Sequence, residues 1–227
     1  MDRFLRLLQF ADGLFPAGAY AHSFGLEFCV QSGEVRDAAG VEAFLRAYLQ
    51  GSAAPADAVA AVCAHRAAAK GTLEPCLALD QTLDAMKAAT ELREASRQMG
   101  RQSLRVATHL RLDPLVAEFG QAIADEVTPG HHAVVFGVIG GISGWSSLET
   151  AGAYLYSTSS ALVGAALRLL PLGQLAGQRI LWNAKPLIAS LAAETQDKSE
   201  DDMWSFVPAL EIASMRHARL EARLFRS

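Results

Sequence analysis

The side chains of this 227-residue chain that could do chemistry fall in a few places. His22, Ser23 and Glu27 stand close together, and a nucleophile, a base and an orienting carboxylate are what acyl transfer requires. Such partners usually converge from separate loops, and no nucleophile-elbow pattern surrounds Ser23. Capping of a nearby helix accounts for Ser23, and hydrogen bonding within a turn accounts for His22. The adjacent His131 and His132 could offer a metal at most one ligand, because a helix points consecutive residues in different directions and a closed site needs about four. Gly137, Gly140, Gly141 and Gly144 are followed by Trp145 rather than by Lys and Ser or Thr, so no phosphate loop forms and nucleotide binding by this chain alone is not expected.

A fourth group is cationic. Arg93, Arg97, Arg101 and Arg105 occupy successive helical turns, roughly opposite a seam of Leu92, Ser96, Met99, Ser103, Val106 and Leu110. That geometry predicts an outward stripe, read either as a solvated face helped by Glu91 and Glu94 or as a docking surface for an acidic partner.

The elements that must position these groups all read as helices. Hydrophobic residues make up 51% of the chain and no Pro/Gly/Ser-rich linker divides it, which predicts one domain, residues 1–227. Twenty Lys and Arg against 24 Asp and Glu leave a net charge of −4, with no overall pull towards nucleic acid or an anionic membrane. Cys29, Cys63 and Cys76 are odd in number and lack metal-type spacing, as expected of buried thiols in a reducing cytoplasm. Asp12 interrupts the apolar Phe4–Phe10 run early, so a secretory signal is not expected.

The most apolar stretch, Leu148–Leu170, has no charge between Glu149 and Arg168 and predicts a central helix over about 147–170, opened by a Ser146/Glu149 capping box. Lipid could cover it, but Ser157–Ser160 and two tyrosines make a poor hydrocarbon span. Its glycines and alanines should let neighbouring helices approach closely. Around it we expect an all-α bundle of roughly ten helices. Asp37 and Asp113 serve as N-caps, Thr90 as a further cap, and Pro55 starts an alanine-rich helix after a stop near Gly51. Pro186 breaks or kinks a helix beginning at Gln174. A flexible acidic link spans 194–204, and a C-terminal interaction helix and tail spans 208–227, with Leu210, Ala213, His217, Leu220 and Leu224 on one side. Only Ala133–Ile142 is ambiguous between helix and strand.

Four stretches carry a resemblance that spacing alone does not reveal. They are LLQFADGLFPAGAYAHSFGLE (Leu7–Glu27), ELREASRQMGRQSL (Glu91–Leu104), YLYSTSSALVGAALRLLPLGQLAGQRIL (Tyr154–Leu181) and PALEIASMRHARLEARLFRS (Pro208–Ser227). In that order they resemble the UreF family of urease accessory proteins. Ala19, Glu211 and Ala218 depart from the family pattern. The resemblance implies an all-helical, non-enzymatic, dimeric chaperone of the cytoplasm. It would bind UreD (also called UreH), recruit the GTPase UreG to apo-urease, and couple GTP hydrolysis to nickel delivery, with nickel and GTP handled by the partners rather than held tightly here. Partner-binding residues implied by the family motifs or inferred beside them are Tyr20, His22, Ser23 and Glu27, then Arg93, Arg97 and Arg101, then Arg216, His217, Arg223, Phe225 and Arg226. The terminal Leu224–Ser227 segment joins an apolar anchor to charge, which suits an interface, and UreD is its expected partner. Two other classes are weighed against this: a helical enzyme, which turnover by the isolated chain would reveal, and a membrane-associated protein, which fractionation would reveal.

Overall fold

In the computed structural model, which describes residues 1–227, every regular element is helical and there is no strand. The α-helices are α1 (Asp2–Ala11), α2 (Leu26–Gln31), α3 (Ala38–Tyr48), α4 (Val59–Ala69), α5 (Glu74–Met86), α6 (Thr90–His109), α7 (Pro114–Ala124), α8 (His132–Ile142), α9 (Ser147–Leu169), α10 (Gln174–Thr195) and α11 (Pro208–His217). No helix is long and apolar enough to cross a membrane. The ambiguous segment is α8, and all its residues from His132 to Gly141 are buried.

Most of the expected caps are present. Asp37 accepts from the Gly40 amide at 2.9 Å and Asp113 from the Leu115 amide at 2.9 Å. Ser146 and Glu149 close a reciprocal capping box. Thr90 is different: it is the first helical residue of α6, and Ala89 ahead of it has no side-chain cap.

The chain does not stop at Gly51. A π-helical segment, Leu49–Ala58, joins α3 to α4 without a break and carries Pro55 inside it. Proline has no N–H to offer the carbonyl four residues back, so an α-helix would leave the Gly51 carbonyl orphaned. Here that carbonyl accepts from the Phe206 amide at 2.8 Å, and the Pro55 carbonyl accepts from Trp204 at 3.2 Å. The extended segment before α11 thus satisfies what the proline leaves open. Pro186 likewise lies within an unbroken α10. The acidic stretch after α10 is tied down: Ser199 and Asp202 cap a short 3-10 turn, and Arg66 and the Cys63 thiol donate to the Lys198 carbonyl.

The expected central helix, α9, is the one on which the most other elements pack, while the most completely buried element is its neighbour α8. Although α9 touches most other elements, it keeps Leu148, Tyr156 and Gly164 on an open strip. The element buried all round is α8, packed tightly on α4. Its glycines permit that approach. A Cβ at Gly137 would sit 2.8 Å from the Ala61 carbonyl carbon and one at Gly141 2.9 Å from the Ala69 amide, whereas Gly164 of α9 has nothing within 4 Å. Close approach therefore belongs to α8 rather than to the small residues of α9.

Candidate functional site

The N-terminal cluster and the C-terminal tail, far apart in sequence, close on each other. Phe24 and Gly25 take left-handed backbone angles (φ 55° and 86°), which delays α2 to Leu26 and turns the amides of Ser23 and Phe24 outward. Both amides donate to the Ser227 carbonyl, at 2.5 and 3.2 Å, and the Ser23 hydroxyl donates to the same oxygen at 2.8 Å. His22 Nδ1 lies 2.8 Å from the Ser227 hydroxyl, and the Arg226 amide donates to the Ala21 carbonyl at 2.8 Å. Ser23 is thus bound to the tail, with no geometry that pairs it with His22 as nucleophile and base.

Glu27 is the anchor of this clasp. Only 1% exposed, it accepts from the Leu224 amide at 2.7 Å, the Phe225 amide at 3.0 Å and His217 Nε2 at 2.8 Å. Burial works against its carboxylate, but those donors outweigh burial and hold its pKa below the ordinary value. His217 also contacts Glu91 through Nδ1 at 2.7 Å, and Arg223 donates to the other Glu91 oxygen at 3.0 Å. The tail is finished by stacking: the Arg168 guanidinium lies 3.6 Å from the Tyr20 ring centroid and 4.0 Å from that of Phe225, and it donates to the Tyr20 carbonyl.

The structure therefore brings Tyr20, His22, Ser23, Glu27, His217, Arg223, Phe225 and Arg226 to one place. Of these, His22, Ser23, Glu27, His217 and Phe225 are buried within the chain, so they hold the tail rather than offer themselves outward. Tyr20, 75% exposed, and Leu224, 60% exposed, form the apolar part of the outer face. The helix α11 ends at His217, so Leu220 and Leu224 belong to the turn and tail beyond it rather than to its face. Arg216 lies apart, 5.8 Å from the Phe28 ring. Arg168 and Glu91 take part without having been singled out from sequence. Arg168 marks only the end of an apolar run there, and Glu91 only a carboxylate beside the arginine stripe.

The arginine stripe divides in two. Arg93 and Arg97 are half-buried; Arg93 donates to the Lys87 carbonyl, and Arg97 pairs with Asp84 of α5 at 2.6 Å and with Glu94 at 2.6 Å. Arg101 and Arg105 are exposed. The outward placement thus holds for the second half of the stripe; the first half is caught by α5, which a helical wheel of α6 alone does not contain.

Asp84 leads to a second polar cluster. His131 is fully buried, with Nε2 2.8 Å from Asp84 and Nδ1 3.0 Å from the Ser96 hydroxyl. Asp80 fixes the loop that delivers it, accepting from Thr128, the Gly130 amide and the His131 amide at 2.6–2.7 Å. His132 points elsewhere, against Phe136 and Tyr154. It lines a cavity of about 270 Å³ whose walls are largely apolar and which also holds an ion pair between the buried Asp57 and the half-buried Lys87, closed at 2.7 Å. The three cysteines are free thiols, Cys29 and Cys76 buried and Cys63 half-buried; burial raises Cys29 to about 11 and Cys76 to about 12.

Burial depresses His22, His131 and His132 to about 4, with Arg226 adding to the effect at His22 and Lys87 at the other two. The unfolded chain, whose histidines titrate near 6.5, therefore binds protons first as pH falls. Stability should be level between about pH 7 and 8, fall above that as the thiols of the unfolded chain ionise first, and decline between about pH 6.5 and 4 by up to about 1.4 kcal/mol per pH unit for each histidine. Urea midpoints at pH 7.5, 6 and 5 read this directly. A midpoint that rises towards pH 5 would contradict it.

The main polar site of this all-helical protein thus ties the Tyr20–Glu27 segment to the C-terminal tail and leaves the Leu224 side chain outside. The UreF family profile matches residues 35–185. Urease accessory protein UreF of Bacillus sp. (strain TB-90) is 33% identical over 227 residues, covering all of both chains. That of Arthrobacter sp. (strain FB24) is 33% identical over 223 residues, 98% of this chain and 96% of the relative, and that of Lachnoclostridium phytofermentans is 32% identical over 228 residues, all of both. The chain belongs to the UreF family of urease accessory proteins, a family named for assisting an enzyme rather than for being one.

Proposed function

We propose that this chain acts in the cytoplasm as the UreF component of urease maturation, a dimeric chaperone that binds UreD through its clasped tail, recruits UreG to apo-urease and so couples GTP hydrolysis to nickel delivery. Nickel is cargo in this reading, and the partners handle both it and GTP. The observation that supports the UreD assignment is the clasp: Glu27 and Ser23 hold the tail backbone in one shape while the Leu224 side chain stays outside. A pre-shaped apolar anchor binds without first bearing the entropy of ordering the segment.

Deleting the tail is a poor test, because it strips a buried carboxylate of its donors. Leu224→Glu is cleaner, since the Leu224 amide still bonds to Glu27 whatever the side chain. Burying an anchoring leucine contributes about 1.4 kcal/mol or more to an interface, so recovery of UreD with the variant should fall roughly tenfold or more. The helical spectrum and melting temperature should not change. Undiminished recovery would place UreD elsewhere.

A further inference from the structure

A groove runs between α6, the loop around Pro16–Ala21 and the tail at Arg226, and its polar lining is strongly one-sided. Arg97, Arg101, Arg105 and Arg226 face it, with Glu94 the one carboxylate. Pairing sharpens that imbalance. Arg97 is engaged by Asp84, and Glu94 is engaged by Arg97. Arg101 spends only its Nε–H, on the Pro129 carbonyl at 3.0 Å. Arg105 and Arg226 have no side-chain hydrogen bond or ion pair within the chain, and Arg101, Arg105 and Arg226 are all exposed. Three guanidinium groups without a carboxylate thus converge on one groove in a protein of net charge −4.

We propose that this groove is a docking site for an acidic helical segment of a protein partner. The arginines of α6 recur every fourth residue, about 6 Å apart along the axis, and an antiparallel helix carrying carboxylates at the same interval would meet them in register. Guanidinium groups bind carboxylates in a planar, two-pronged fashion that a point charge cannot match. Gln98 and Gln102, between the arginines, add neutral donors and acceptors, and the opposite wall is built of small residues, Pro16, Ala17, Gly18 and Ala21, against which a rod can lie closely. The chain's own acidic turn is not the occupant within one molecule, because Glu200 accepts from Thr82 of α5 and Lys198 is held against α4. A polyanion such as nucleic acid would gain three cations but meet the repulsion of a net negative protein, so a short acidic segment fits better. This inference does not rest on the tail's contacting UreD.

The test uses the full chain and a labelled fifteen-residue alanine-based peptide with glutamates at every fourth position, read by fluorescence anisotropy beside a glutamine version of the same peptide. Binding of the glutamate peptide, at least tenfold weaker at high than at low salt and absent for the glutamine peptide, is expected. Arg101→Glu/Arg105→Glu should weaken it a further tenfold or more. The neutral pair Arg101→Gln/Arg105→Gln should fall between, and it serves if the reversed variant does not fold. Equal binding by wild type and variants would overturn the proposal. So would tighter binding of a single-stranded oligonucleotide than of the peptide, or self-association that the reversal abolishes, since either would give the groove a different occupant.

Discussion

Gly137→Ala should be among the most damaging single-methyl changes in this protein, beside Gly100→Ala, whose Cβ would also fall on backbone. The new Cβ would fall on the Ala61 backbone, 2.8 Å from its carbonyl carbon and 2.9 Å from its Cα, and neither partner is a flexible side-chain end that could move aside. Alanine favours a helix over glycine by up to about 1 kcal/mol, which acts in the opposite direction. Prising α8 from α4 disturbs a contact between two helices whose facing residues are buried, and overpacking there costs about 3 kcal/mol or more, so the steric effect wins. A fall in melting temperature of roughly 6–12 °C, or failure to accumulate as soluble protein, is the expected result. Gly164→Ala is the internal control: nothing lies within 4 Å of its Cβ, and stability should rise by up to about 1 kcal/mol. Equal effects at the two sites would mean that α4 and α8 are not packed as described.

Glu27→Gln should open the clasp. The substitution is nearly isosteric, so it makes no cavity, but it turns one acceptor oxygen into an NH2 donor facing donors. The Leu224 and Phe225 amides and His217 Nε2 then compete for one remaining oxygen. Leaving a buried donor unmet costs about 1–3 kcal/mol, more where a charged group takes part. An upper bound applies, because the tail can detach before the bundle unfolds, and the global loss cannot exceed the free energy that holds the tail. The sharper readout is therefore local: amide exchange at Leu224 and Phe225 should accelerate about 100-fold, the equivalent of about 3 kcal/mol, while amides of α8 change little. Recovery of UreD should fall with it under the proposed function. Unchanged exchange at both amides would remove Glu27 from the role of anchor.

What could be read from the chain by itself was whatever acts over a few residues. The Ser146/Glu149 box and the Asp37 and Asp113 caps are bonds to amides two or three positions away, so the residue types declare them, and the 3.6-residue recurrence of apolar side chains sets the all-helical class. Two of the stretches that carry the family resemblance, Leu7–Glu27 and Pro208–Ser227, contain the segments that meet in the clasp. Contacts between distant segments lay beyond that reach. Thr90 has the composition of a cap, but the helix begins one residue too early for it to act as one. Pro55 should open a helix by local rules, and only the Phe206 amide, reaching the Gly51 carbonyl from 155 positions further on, lets a π-helical turn carry the chain through it. His22 and Ser227 are 205 positions apart, and nothing in the periodicity of either segment says that one holds the other. Arg97 faces outward on the wheel of α6 and is nevertheless engaged, because α5 places Asp84 beside it. Secondary structure is decided by bonds that a helix makes with itself. The clasp, the divided arginine stripe and the burial of α8 are decided by which helices are neighbours, and that is a property of the packed core.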